Sequence, residues 1–137
     1  MIFVDTNVVS ETLRKHPDQA VLAWLARHDA DLALPTVTIG EIAFGIAKIR
    51  PDERAARLWQ GLGEWRRRYA ARIFGLTEDA ALAYGEIMGE ASRRGSGMSA
   101  ADGMIAAIAR TNGGRLATRN QADFRAAGLE LISPWDY

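Results

Sequence analysis

Four carboxylates in this sequence stand where a negative charge is expensive, and carboxylates gathered in one place bind divalent cations. Asp5 ends the apolar run Met-Ile-Phe-Val at residues 1–4. Such a run reads as a buried first strand, and ligands of open α/β sheets bind at the carboxyl ends of strands. Glu41 is the only acid between Leu32 and Arg50. By helical angle it shares a face with Val37 and Phe44, while Ile39, Ile42, Ile46 and Ile49 fill the opposite one. A helix apolar on both sides is sandwiched, so Glu41 is expected to be at least partly buried. There an unpaired carboxylate costs free energy or shifts its pKa. Asp102 lies three residues after Ser99 in SAADGMIAAIA, on the stripe of Ile105, Ala106 and Ala109. Asp123 follows a short apolar stretch in TRNQADF.

Taken singly, each acid has a local explanation. Asp5 would cap the helix that follows it, and Glu41 would pair with an arginine. Asp102 would form a capping box with Ser99, and Asp123 would hold a turn. Taken together, they point to one carboxyl edge of a sheet. Carboxylates within about 4–6 Å repel by ~4 kcal/mol per close pair at an effective dielectric near 20, so such a cluster needs cations in it. Oxygen ligands without histidine or cysteine suit Mg²⁺ or Mn²⁺ rather than zinc. The chain has no cysteine, which excludes disulfides, thiolate metal sites and a cysteine nucleophile. His16 precedes a proline and His28 prolongs the Val21 stripe; neither belongs to a Ser-His-Asp arrangement. GLGEWR at 61–66 falls inside a helical pattern with no strand before it, so it is no phosphate loop.

The elements that must position these acids follow from the apolar pattern. Strands are expected at 1–4, 32–34, 73–74, 116–118 and 129–132. Helices are expected over 6–13, after Pro17, and from a Thr36 or Thr38 cap to about Ile49. Further helices are expected over 52–72 (weakened by Gly61 and Gly63), from Thr77, and from Ser99 to the Asn112-Gly113-Gly114 stop. A short helix is expected near 121–126. Short apolar strands alternating with helices predict an α/β fold, a single domain over 1–137 with a short parallel sheet flanked by helices on both faces. A length of 137 residues suits one domain. No apolar run approaches the roughly 18 residues of a membrane span, and MIFVD lacks the basic region of a signal peptide, so a cytoplasmic location is expected. Seventeen basic residues cancel seventeen acidic ones. That balance argues against coating nucleic acid by bulk attraction, yet allows a basic rim around an acidic pocket.

At these residues the chain resembles the PIN-domain ribonucleases, specifically the VapC toxins of the FitB-like branch. The matching pieces are MIFVDTNVVSE (1–11), PTVTIGEIAFGI (35–46), SAADGMIAAIA (99–109), LATRNQADF (116–124) and GLELISPW (128–135), in order over nearly the whole chain. The resemblance implies an endoribonuclease dependent on Mg²⁺ or Mn²⁺ that is the toxin of a toxin–antitoxin pair. It carries the family's first three acids onto Asp5, Glu41 and Asp102. The fourth falls either at Asp123 or where this chain has Asn120, which would orient a water or phosphate instead. Thr6 is implied to support the pocket network. The partners implied are RNA, a VapB-type antitoxin, and a second copy of the chain in a homodimer, with apolar positions around Trp59 and Tyr84 available to it. Arg14, Lys15 and Arg119 fall near the same edge, either as solvated surface or as contacts to RNA phosphates.

Two other readings use the same residues. A receiver-type signalling domain also places an acidic Mg²⁺ pocket on a doubly wound sheet, but it needs a lysine after a late strand. The only lysines are Lys15 and Lys48. A PIN-like binding module that has lost catalysis is the other alternative; the intact acids weigh against it.

Overall fold

A computed structural model describes residues 1–137. Five strands form one parallel sheet: β1 (Ile2–Val4), β2 (Leu32–Pro35), β3 (Ile73–Phe74), β4 (Arg115–Ala117) and β5 (Leu131–Ile132). Their order across the sheet is β3-β2-β1-β4-β5. The helices are α1 (Thr6–Thr12), α2 (Gln19–His28), α3 (Thr36–Lys48), α4 (Arg54–Arg68), α5 (Glu78–Arg93) and α6 (Ala100–Thr111). The chain steps outward from β1 to β2 and β3 through α1–α4. It then returns through α5 and α6 to lay β4 on the other side of β1. Right-handed crossovers place the helices of the outward steps on one face and those of the return on the other.

Alternation along the strands serves both faces. Ile2, Val4, Leu32, Leu34 and Ala117 enter a core with α1–α4 residues such as Val8, Trp24, Ile46 and Leu62. Phe3, Ala33 and Leu116 enter a second core with Ile87 of α5 and Ile105 and Ile108 of α6. β1 sits between its two directions of growth, so the crevice at the carboxyl ends of β1 and β4 is the switch point where doubly wound sheets bind ligands.

Glycines fix two close approaches. A Cβ on Gly103 would lie 2.5 Å from the Met88 sulfur, which lets α6 press onto α5. A Cβ on Gly61 would lie 2.5 Å from a Leu13 methyl, so a residue that weakens α4 intrinsically is required by its packing.

Several boundaries differ from expectation. Asp18, not Pro17, opens α2, accepting from the backbone N–H groups of Ala20 and Val21. Neither Thr36 nor Thr38 caps α3: Pro35 occupies the cap position, and the Thr38 hydroxyl donates to the Val4 carbonyl at 3.1 Å. That bond pins α3 to the end of β1. Helix α4 stops at Arg68, followed by a 3₁₀ turn at Ala70–Arg72, and the segment Gln121–Ala127 is also 3₁₀. Thr77 and Ser99 cap α5 and α6 as predicted. Of the two aromatic positions considered for self-association, Trp59 is exposed, whereas Tyr84 is half-buried against Gly103.

Candidate active site

Asp5 is the first residue beyond β1. Its backbone N–H still donates to the Ala117 carbonyl at 3.2 Å, and its extended backbone lets the side chain turn onto the start of α1. One carboxylate oxygen accepts from the Val8 backbone N–H at 3.1 Å; the other accepts from the Thr118 hydroxyl at 2.5 Å. The residue is 2% exposed. Burial pushes its carboxyl up to about 6 from the ordinary 3.8; the Thr118 hydroxyl and Val8 N–H pull back, and the charge of Asp102 pushes up again. The local explanation and the functional one therefore both apply to Asp5. It caps a helix and remains a desolvated acid at the crevice.

Glu41 reaches the same edge from α3, where the Thr6 hydroxyl donates to one of its oxygens. It is half-buried, as predicted, but not because α3 is covered on both sides. Phe44, one turn later on the same face, is 68% exposed, so α3 is not sandwiched along its length. Glu41 is shielded where α3 packs against α1 and α6, with Thr6 of α1 bonded to it. Thr6 is not the cap of α1, a role taken by Asp5; its hydroxyl is spent on Glu41.

Asp102 lies in the first turn of α6, its backbone N–H donating to the Ser99 hydroxyl at 3.1 Å. Its carboxyl is raised from the ordinary aspartate value, first by burial and then by the charge of Glu41; the Ser99 hydroxyl opposes this and the charge of Asp123 adds to it. Asp123 is exposed in the 3₁₀ segment, where its N–H donates to the Asn120 carbonyl at 3.1 Å. Asn120 is exposed and takes part through its backbone, its N–H donating to the Thr118 hydroxyl at 3.1 Å.

The charges thus form a chain of mutual influence: Asp5 with Asp102, and Asp102 with Glu41 and Asp123. None of the four makes an ion pair with a guanidinium or ammonium group. The arrangement is looser than the tight cluster expected, because no three acidic or histidine side chains stand close enough to grip one ion. The four acids come from separate elements, and two of them are turned toward donors of their own: Asp5 to Thr118 and Val8, Glu41 to Thr6.

Two hydroxyl residues of this edge were missed in the sequence. Thr118 is fully buried just past β4, holding Asp5 and accepting from Asn120. Thr38 is fully buried and fixes α3 against β1. The available signal was a hydroxyl directly after a buried strand, in LATRN. Beside Glu41 and Thr6 opens a cleft of about 1100 Å³ between α1, α3 and α4, floored by Leu13, Ile42 and Ile46 and rimmed by Arg14 and Arg57.

Comparison with known proteins settles the kinship. The PIN domain model matches residues 2–129. The chain belongs to the PIN-domain family. This PIN domain is 39% identical to a VapC ribonuclease of Sinorhizobium fredii, over 99% of each chain. It is 35% identical to toxin FitB of Neisseria gonorrhoeae, over 98% of this chain and 99% of that one. The crystal structure of FitAcB from Neisseria gonorrhoeae superposes over the full length of both chains with a TM-score of 0.90 at 34% identity. The membership expected from the motifs is thereby shown. No helix of this PIN domain is long and apolar enough to cross a membrane.

Proposed function

We propose that this PIN domain is a ribonuclease toxin that hydrolyses RNA phosphodiester bonds at the carboxylate edge around Asp5, using Mg²⁺ or Mn²⁺. The observation that carries this reading is the set of four acids at the switch point, two with raised pKa and none paired with a base. The donor set fits a hard divalent cation: it offers carboxylate oxygens and hydroxyls, with no cysteine or histidine among them. Asp5, Glu41 and Asp102 would hold the ion directly or through water, with Asp123 in support; since no three of them close on one point, bound water would complete the shell. Bound there, the ion supplies charge neutralisation and polarises the scissile phosphate and water.

The chain's own residues do the rest. Thr118 and the Val8 N–H fix both oxygens of Asp5, and Thr6 fixes Glu41. Ser99 secures the first turn of α6 and so the position of Asp102. Asn120 and Asp123 lie on the exposed side, where a polynucleotide can approach. The bond broken is a backbone P–O bond, and the incoming group is water. Kinship with toxin FitB supports the toxin role, and a toxin maintained in a living cell implies a cognate antitoxin, here of VapB type. The apolar groups left exposed, Trp59 and Phe44 among them, support self-association as a dimer.

Purified protein incubated with cellular RNA tests the reading. New RNA ends should appear with Mg²⁺ or Mn²⁺ and disappear with excess chelator. They should also disappear in Asp5→Asn and Asp102→Asn. Cleavage that survives chelator, or either substitution, overturns it.

A further inference from the structure

An all-acid crevice repels the polyanion it is meant to cut, so a cation must stand beside it that the acids do not consume. The arginines that line the cleft beside Glu41 are already engaged. Arg14 is paired with Glu11 and Arg54 with Asp52. Arg57 donates to the Leu13 carbonyl. Arg119 is different. It is exposed, makes neither an ion pair nor a hydrogen bond, and its guanidinium carbon lies 5.1 Å from the centre of the Trp135 ring, over its face.

The position of this stack follows from the register of the sheet. Ala117 of β4 pairs with Ile132 of β5, and the Thr118 N–H extends the pairing to the Ile132 carbonyl at 2.9 Å. Both strands therefore leave the sheet at the same edge, bringing Arg119 and Trp135 together. Trp135 is anchored by buried Pro134 and packs against the core shared with α1 and α2. Arg119 directly follows Thr118, whose hydroxyl holds Asp5. The stack thus keeps the guanidinium on the α1–α2 side of the crevice, whereas Asp102 rises from α6 on the other side. A bare arginine beside carboxylates would be drawn into an ion pair, because Coulomb attraction exceeds an exposed cation–π contact. Fixing it on Trp135 leaves its donors free, and a guanidinium fork matches a phosphate.

We infer that Arg119 anchors an RNA backbone phosphate flanking the scissile bond, with Trp135 as the residue that positions it. This rests on the ribonuclease reading and names the contact that brings the substrate to the acid edge.

The experiment measures binding of a fluorescent, mixed-sequence single-stranded RNA in excess chelator across a series of salt concentrations. Arg119→Ala should weaken binding about tenfold. It should also reduce the slope of log affinity against log salt by about 0.7, the signature of one lost phosphate contact on a single strand. Arg119→Lys should restore part of the affinity. Trp135→Leu, compared at a temperature where both proteins are fully folded, should weaken binding about threefold, while Trp135→Phe keeps most of it. Arg125→Ala, which removes another exposed arginine of the same segment, controls for bulk charge and should have the smaller effect. An unchanged salt slope in Arg119→Ala overturns the inference, as does an equal loss in Arg125→Ala. Loss of antitoxin binding with RNA binding intact also overturns it, by assigning Arg119 to a protein partner. Failure of the wild type to bind or cut RNA instead overturns the ribonuclease reading itself.

Discussion

Two buried acids flank the same short helix and live in opposite surroundings. Glu11, near the end of α1, is 5% exposed; its carboxylate accepts from the Arg14 guanidinium at 3.1 Å and from the Asp18 N–H at 2.9 Å. Asp5, at the start of α1, is buried as deeply but has only a hydroxyl and one backbone N–H for partners. Asp29 repeats the first pattern on the surface: Arg68 and Tyr69 bond its carboxyl and lower its pKa. An acid supplied with its own cation ties elements together, here α1 to α2. An acid denied one raises the free energy of the folded chain at neutral pH, and that stress can be relieved by a positive charge from outside. The pairing of an acid, more than its burial, separates architecture from chemistry in this molecule.

The sharpest way to break the comparison is to neutralise each acid. Asp5→Asn should lower RNA cleavage by at least about a hundredfold, with expression no longer arresting growth. The same variant should be no less stable than wild type at pH 8, as judged by thermal melting. Glu11→Gln should do the reverse. Losing the charge-assisted bonds should cost about 1–2 kcal/mol of stability, with cleavage per folded molecule nearly unchanged. If Glu11→Gln abolishes cleavage in fully folded protein, the division between the two acids fails.

A pH titration should show the same stress. The folded state raises the Asp5 pKa from 3.8 to about 6, so it holds this proton more tightly than the unfolded chain does. Stability from this group is therefore fully present below pH 3.8 and is lost as pH rises through about 6. The loss amounts to about 3 kcal/mol in the metal-free protein. The lowered carboxyls of Asp29, Asp52 and Glu90 act with the opposite sign, contributing stability above their ordinary values and losing it in stronger acid. Denaturant unfolding of wild type against Asp5→Asn between pH 4 and 8 isolates the Asp5 contribution. The difference should widen with pH in chelator and shrink when Mg²⁺ or Mn²⁺ is added. A difference independent of pH would mean that Asp5 is not desolvated as described.

How much of this could be read in the amino-acid order depended on the distance over which each cause acts. Asp5 and Asp102 were legible because the first closes an apolar strand and the second follows a Ser cap, both local patterns. The sheet was legible because MIFV, LAL and the later short runs alternate with helical stripes. Thr118 was not, since its significance is a bond to a residue 113 positions away, made only when β4 lies beside β1. Glu11 was not, because nothing in the polar end of α1 announces that the Asp18 N–H will return to it. Phe44 misled: an apolar residue on the Glu41 face implied a covering layer, but α3 runs past the end of that layer and leaves the ring in solvent beneath Lys48.

The hydroxyls give the finest test, because they hold the acids without carrying charge. Thr118→Val keeps the shape of a fully buried side chain and removes the donor to Asp5 and the acceptor for the Asn120 N–H. Cleavage should fall about tenfold or more, the usual cost of losing a partner that orients a ligand carboxylate. Thr6→Val removes the donor to Glu41 in the same way. Its effect should be smaller, a few-fold, because Glu41 is only half-buried and water can replace the lost hydroxyl. Cleavage rates over a range of Mn²⁺ concentrations distinguish orientation from damage. In both variants excess ion should recover part of the lost rate if the hydroxyls act by aiming carboxylates, whereas a deficit the same at every ion concentration would assign them to holding the fold alone.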